Sequence, residues 1–346
     1  MSGSSALVLE GLLKVAVVLA AVMTVVGNIV LVERKVAGWI QDRVGPNRAG
    51  PWGLLQPLAD GLKFIFKEEI VPASAHKTFY ILAPALSLTA ALTTFAVIPF
   101  GERFVIFGRA IEPIIADLDI GLLWIFAVAS LGVYGIVLAG WSSASKYSLL
   151  GGLRSSAQMI SYELSMTLSV VGVLMASGSL RLADIVSAQA GSVWNAVSQP
   201  IGFLVFLTSA FAETNRLPFD LPEAEPELVA GYHTEYSSMK FLMFYMAEYG
   251  NVILSSCLMV LLFAGGWHLP FVEGWLQAAP AGVAGLAHFA IFCLKLTFFL
   301  FLYIWVRWTL PRFRYDQLMN LGWKVMLPLA LANVVWTAAL ILAGWV

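Results

Sequence analysis

Four stretches of the chain, residues 79–100, 120–141, 193–212 and 325–346, contain no Lys, Arg, Asp, Glu or His. A helix needs about 20 residues to cross a hydrocarbon layer of ~30 Å, and each stretch reaches that length. Four more windows carry isolated polar groups: 11–32 with Lys14, 156–178 with Glu163, 241–266 with Glu248, and 285–306 with His288 and Lys295. None alternates with a period of two, which favours helices over a barrel. With 60% hydrophobic and only 12% charged residues, a water-soluble fold could not hide its apolar surface. The expectation is an all-α integral membrane protein of about eight transmembrane helices plus a cytoplasmic interfacial amphipathic helix, in one polytopic membrane domain over residues 1–346.

Charge orders the connections. The loops after spans one, three, five and seven hold Arg34, Lys35, Arg43, Arg48, Lys63, Lys67, Lys77, Lys146, Arg154, Arg216, Lys240, Arg307, Arg312, Arg314 and Lys324, whereas the opposite loops hold only Arg103, Arg109 and Arg181. The positive-inside rule therefore places residues 33–78, 142–155, 213–240 and 307–324 in the cytoplasm and both termini outside. No basic segment precedes the first span and Glu33-Arg34-Lys35 follows it, the pattern of a retained first helix rather than a cleaved signal.

Several chemistries are disfavoured. Cys257 and Cys293 lie within apolar spans, and no CxxC or Cys/His ligand spacing occurs, so neither a disulfide framework, an iron–sulfur cluster nor another metal centre is expected. Haem is poorly supported because His76, His233 and His268 fall in loops, while His288 reads as a helix-end or interface polar residue. Without a GxGxxG turn or a P-loop, no nucleotide is expected on this chain, and nothing points to nucleic acid. Any electrons must arrive on another protein.

Three cytoplasmic segments are informative. In residues 54–67, Leu55, Leu58, Leu62 and Ile65 form one helical stripe and Gln56, Asp60, Lys63 and Lys67 a nearly opposite one. This pattern fits a helix lying along the interface, either as a simple surface helix or as the frame of a lateral opening for a lipid-soluble ligand. Residues 213–240 carry six acids from Glu213 to Glu235 against Arg216 alone, with prolines at 218, 222 and 226 that exclude a regular helix. Were the chain extended there, Glu223, Glu225 and Glu227 would project to one side within ~13 Å, close enough to couple their proton affinities. That loop reads either as a solvated or partner-binding surface or as a proton-exchanging cluster. Residues 307–324 are basic, suited to anchoring by charge and aromatics and to contact with the acidic loop.

Ionisable groups near a helix centre cost about 2.5–3.5 kcal/mol, so those retained there call for a function or a partner. Glu163, Glu213 and Glu248 are the carboxylates in or at the ends of spans, and Gln158, Tyr162, Ser165 and Ser169 add a polar stripe that should face protein or water. Lys14 is placed to snorkel, and mid-span Lys295 to pair with a carboxylate. These residues describe a bundle that carries protons partway through the membrane and binds a ligand at its cytoplasmic face. A proton-coupled transporter or a purely structural anchor satisfies much of the same pattern.

The strings themselves add a resemblance. Glu33-Arg34-Lys35, Gln41-Asp42-Arg43-Val44-Gly45-Pro46-Asn47-Arg48 and Gln56-Pro57-Leu58-Ala59-Asp60-Gly61-Leu62-Lys63 resemble the first cytoplasmic loop of the H-subunit family of NADH:quinone oxidoreductase, the first-numbered core membrane subunit of respiratory complex I. Ser145-Lys146-Tyr147, Ala157 to Glu163, Ala212 to Asp220, Glu235-Tyr236, Glu248-Tyr249 and Pro311 to Leu318 match in the same order, so the likeness covers nearly the whole chain. What the resemblance implies is a subunit without a catalytic residue or redox centre of its own that forms much of the ubiquinone chamber and its lipid-side entrance. It further implies that Arg34, Asp60, Lys63 and Arg307 lie near the quinone path, and that Glu163, Glu213, Glu248, Glu223, Glu225 and Glu227, with Arg216 as charge partner, couple quinone chemistry to proton movement. Its partners would be peripheral-arm quinone-site subunits, neighbouring small membrane subunits and lipid, with NADH, FMN and iron–sulfur clusters on other chains. A bacterial inner membrane is the expected location.

Overall fold

The computed structural model describes residues 3–106, 109–190, 193–221, 225–270 and 272–344. Its helices are α1 (Gly3–Ile40), α2 (Gln56–Phe66), α3 (Lys77–Thr93), α4 (Gly121–Ser142), α5 (Lys146–Ser177), α6 (Leu182–Gln189), α7 (Asn195–Ser198), α8 (Pro200–Glu213), α9 (Glu225–Leu228), α10 (Ser238–Phe263), α11 (Glu273–Ala278), α12 (Ala281–Thr309), α13 (Tyr315–Asn320) and α14 (Leu327–Leu342). A π-helical stretch, Leu321–Met326, joins the last two into one continuous rod. A single antiparallel ribbon, Phe104–Ile106 against Arg109–Ile111, is the only sheet among the described residues.

Seven helices are long and apolar enough to cross a membrane, and α8 is a shorter apolar helix of 14 residues. The all-α membrane class therefore holds, with one correction to the expected span at 193–212. There the chain breaks at Gln199, whose backbone leaves the helical region, and restarts with Pro200 in the first turn, where a missing N–H costs nothing. The short turn α7 sits before the break, so α8 rises only ~21 Å. At the other extreme α5 begins at Lys146, ten residues before the expected window, and ends at Gly178 in the left-handed conformation, its N–H bonded to Leu174 O at 2.8 Å.

The centre of the bundle is α10. Of its most apolar stretch 83% is buried, against 50% or less in the other long helices, so Leu254 to Phe263 meet protein on every side. The outward faces of α1, α12 and α14 leave Leu12, Leu13, Leu294, Phe298 and Val335 exposed, as lipid-facing residues should be. Ion pairs sort the connections into two ends. Arg34–Asp60, Glu33–Arg307, Glu69–Lys240, Arg154–Glu227 and Asp220–Arg312 gather the basic loops at one end. Asp117–Arg181, Arg103–Glu112 and His268–Glu273 lie in the opposite set. The Arg181 side chain, by its hydrogen bond, holds the Asp117 carboxyl below the ordinary range.

Close approach of α3, α4 and α5 depends on small residues. A Cβ on Gly135 would stand 2.1 Å from Ser87 Oγ and 2.9 Å from Ala83 O, whereas one on Gly132, a turn earlier, would meet nothing within 4 Å. Mid-helix glycine costs ~0.5–1 kcal/mol relative to alanine, so Gly135 is retained for packing and not for helix formation. Gly135→Ala is therefore expected to lower thermal stability by about 1–3 kcal/mol, whereas Gly132→Ala should be neutral or slightly stabilising, as read by unfolding of the detergent-solubilised protein.

Candidate functional site

The turn after α8 is the local device that builds the site. Thr214 donates its hydroxyl to Ala210 O at 2.9 Å, and Asn215 takes a positive φ of 49°, a conformation Asn tolerates better than most residues. From α5, Gln158 Nε2 reaches Ala212 O, Asn215 Oδ1 and Phe219 O at 2.7, 3.1 and 2.9 Å. The polar stripe expected on this helix is thus buried, with Gln158, Tyr162, Ser165 and Ser169 all 0% exposed. Held in this way, Arg216 turns inward, only 8% exposed.

Its Nε lies 2.8 Å from Glu248 Oε1 on α10, and its guanidinium sits 4.1 Å from the ring centre of Tyr249. Burial works against the Arg216 charge, but Glu248, Tyr249 and Glu33 more than offset it and hold the group firmly protonated. The Tyr249 hydroxyl donates to Glu33 Oε2 at 2.6 Å, and the other Glu33 oxygen accepts from Arg307. Tyr245 joins through a 3.1 Å contact between the two phenol oxygens. Glu33, Arg216, Tyr249 and Arg307 line one small cavity with about 20 Å³ of room for water. Neither Glu33 nor Tyr249 is among the site residues that the sequence suggests. Glu33, 7% exposed at the end of the first span, was the available signal, since a buried acid needs partners.

A second cavity, with about 30 Å³ of such room, lies on the other side of the ion pair and is lined by Glu213, Glu248, Asn251 and Tyr232 among others. Glu163, half-buried on α5, is near enough to Glu213 for their charges to interact. Glu163, Glu213 and Glu248 therefore form one row, continued by Arg216, Tyr249, Glu33 and Arg307. From Glu225 onward the acidic loop departs from extended geometry. Glu225–Leu228 is one turn of helix, in which Pro226 is tolerated because the first turn needs no N–H donor. Glu227 pairs at 2.6 Å with Arg154 on α5, and Glu223 lies outside the described residues. Next to the turn, burial pushes the Asp220 carboxyl up against the opposing pull of Arg312, which is 3.0 Å away.

One residue beyond Glu33, Arg34 turns to α2 and meets Asp60 at 2.9 Å, while Gln56 donates to the second Asp60 oxygen at 3.0 Å. The opposite face of α2 exposes Leu58, Leu62, Ile65 and Phe66. Ser238, at the start of α10, donates to Phe64 O at 2.8 Å and lies 3.0 Å from Lys67 O, fixing the end of α2. Lys63 stands apart, exposed, its ammonium 6.0 Å from the Phe64 ring centre.

At the opposite end Lys295 does not pair with a carboxylate as expected. Its ammonium donates to the carbonyls of Ala264, Gly266 and His268 at 2.6, 2.9 and 2.7 Å and lies 4.5 Å from a Trp194 ring. It satisfies the unpaired carbonyls past the end of α10, where a helix favours positive charge.

A family model described as NADH dehydrogenase matches residues 13–338. The chain is 54% identical to the second of the NADH-quinone oxidoreductase H subunits of Koribacter versatilis, across 97% of this chain and 98% of that one. This chain belongs to the H-subunit family of NADH-quinone oxidoreductase. The first H subunit of Cytophaga hutchinsonii is 50% identical over 96% and 98% of the two chains, and NADH-quinone oxidoreductase subunit 8 of Rhodothermus marinus 53% over 92% and 93%. As a member of that family, the chain is a multi-pass membrane component of the oxidoreductase.

Removing one partner of a buried pair leaves the other charge uncompensated. Arg216→Met in this H-family subunit is expected to cost about 3–5 kcal/mol, and adding Glu248→Gln should restore much of it. Thermal unfolding of the purified complex, run as a double-mutant cycle, reads the coupling; additive losses would show that the pair contributes little.

Proposed function

We propose that this subunit forms much of the ubiquinone chamber and its lipid-side entrance, and couples quinone reduction to proton translocation through the buried row of charges. The observation that carries this reading is the connection of Glu213, Glu248, Arg216, Tyr249, Glu33 and Arg307 through direct contacts and two small cavities, with Glu163 close enough to act on Glu213 by charge. From Glu213 to Arg307 each member touches the next or shares a water-sized space with it, and Glu163 joins the row through its charge interaction with Glu213.

The two cavities have room for about 30 and 20 Å³ of water, an order of magnitude below the ~300 Å³ of a ligand pocket. The chain therefore supplies one wall, and peripheral-arm subunits complete the chamber. Those partners also carry NADH, FMN and the iron–sulfur clusters, because neither cysteine is placed to ligate one; Cys257 is fully buried among apolar side chains. The exposed leucines of α2, with the Arg34–Asp60 pair behind them, mark the rim through which quinone enters from lipid. The positive-inside pattern places this end in the cytoplasm of a bacterial cell and both termini outside the inner membrane.

Reduction of a quinone takes up two electrons and two protons. The charge that appears and is neutralised in the chamber acts first on Arg307 and Glu33, and the Tyr249 hydroxyl ties Glu33 to the Arg216 pair. Any change in Arg216's hold on Glu248 alters how strongly Glu248 and Glu213, across their shared cavity, retain a proton. Glu227 would contribute by fixing the loop through Arg154, and Glu223 and Glu225 as further exchange sites within the acidic loop.

Glu213→Gln keeps size and hydrogen bonding while removing the titratable group. It is expected to abolish coupled turnover in assembled complex, measured as quinone reduction together with proton pumping; normal values of both refute the assigned role. Asp60→Ala should lower quinone reductase activity while leaving electron transfer from NADH to an artificial acceptor unchanged. Equal loss of both activities would instead indicate failed assembly.

A further inference from the structure

At the end of the bundle away from the row of charges, the loop after α10 and the start of α12 bring together His268, Glu273 and His288. His268 Nδ1 is 2.9 Å from Glu273 Oε1, and His288 Nε2 is 3.5 Å from the same oxygen. One ligand atom from each residue falls within 4.8 Å of the other two. Zinc bonds nitrogen and carboxylate oxygen at about 2.0–2.1 Å, which sets tetrahedral ligand atoms ~3.3 Å apart. The two measured separations bracket that value.

His288 supplies the independent observation. It is 4% exposed, and its Nε2 has no hydrogen bond among the described residues. A buried imidazole left in this way is costly, whereas a metal ion would satisfy Nε2. Its other nitrogen, Nδ1, lies 2.8 Å from the carboxylate of Glu102, so an acid stands where the outer partner of a metal-bound imidazole stands. The second Glu273 oxygen is also buried without a partner.

We infer that His268 Nδ1, Glu273 and His288 Nε2 form a binding site for a divalent transition cation of the zinc type, with Glu102 orienting His288. Two imidazoles and one carboxylate select such an ion over magnesium or calcium, which prefer all-oxygen shells. The loop side chains are 14% exposed at His268 and 21% at Glu273, so the ion can enter from solvent. Lys295 is the opposing charge nearby; its ammonium holds the His268 carbonyl, and the carboxylates of Glu273 and Glu102 compensate for it. Bound metal would fasten the loop that follows α10 to the start of α12. The inference is independent of the quinone reading, since it uses none of the same residues.

The test is equilibrium dialysis of purified intact complex, first against chelator and then against Zn²⁺ alone, with bound zinc measured per complex. His268→Gln and His288→Gln should each bind about one zinc fewer than the unsubstituted complex, and Glu102→Ala should weaken that site about 10–100-fold. Equal zinc in the unsubstituted complex and both histidine variants overturns the site. Should the variants fail to assemble, modification of His268 by diethyl pyrocarbonate in the unsubstituted complex decides. Zn²⁺ is expected to protect it, and Mg²⁺ is not; no protection by Zn²⁺ overturns the proposal.

Discussion

The contact between Arg216 and Glu248 is the interaction on which the rest of the site depends. Both side chains are about nine-tenths buried, and separately each would be a charge deep in protein with nothing to offset it. Together, with the Tyr249 face against the guanidinium, they allow a loop residue to enter the bundle and an acid to persist on its most buried helix. Arginine suits this position better than lysine, because one planar group can meet a carboxylate through Nε while stacking on an aromatic ring. Arg216 Nη2 has no hydrogen-bond partner among the described residues, which leaves a donor free for water or for a rearranged neighbour.

Around that pair, the architecture separates rigid from adjustable parts. The helices α3, α4 and α5 approach so closely that a single methyl group on Gly135 would collide with neighbouring backbone, and Gln158 locks the turn after α8 to α5. The charged side chains stand at the edges of this frame, beside cavities with room for a few waters. A frame of this kind can hold carboxylates at fixed separations while allowing the protons and waters between them to move.

Much of the fold was legible because membrane insertion imposes a simple code: length and apolarity give spans, and loop charge gives their alternation. The code failed where backbone chemistry overrode hydropathy. Residues 193–212 hold no ionisable side chain, yet Gln199 and Pro200 break them, and window averages are blind to a single proline. The buried acids were legible for the same energetic reason that makes them rare, and Arg216 was conspicuous as the one Lys or Arg between Glu213 and Glu235. Glu33 was harder, since a charge at a span end reads as an anchor until its partners on α10 and α12 are seen. His268, Glu273 and His288 were not legible as a group. Spacings of five and fifteen residues match no ligand motif, and only the fold brings the loop beside α12.

Lys295 shows why charge inside a span should not be assigned a role from its depth alone. Hydropathy places it mid-membrane, where an ion pair is the economical expectation. Yet α10 ends within the folded bundle, and the carbonyls of Ala264, Gly266 and His268 converge as an electronegative cap. A lysine satisfies three such acceptors at once, which neither a carboxylate nor a hydroxyl could do. The same sequence-level signal, an isolated ionisable residue in an apolar window, therefore has two distinct physical origins in this chain. Glu248 is retained with a buried counter-charge, and Lys295 is retained by backbone left over where a helix stops. What separates them is the surroundings: Glu248 borders a cavity with another acid, whereas the ammonium of Lys295 is occupied by acceptors that do not titrate. The proton coupling proposed for this subunit accordingly draws on the first kind of site, and the second holds the opposite end of α10 in place.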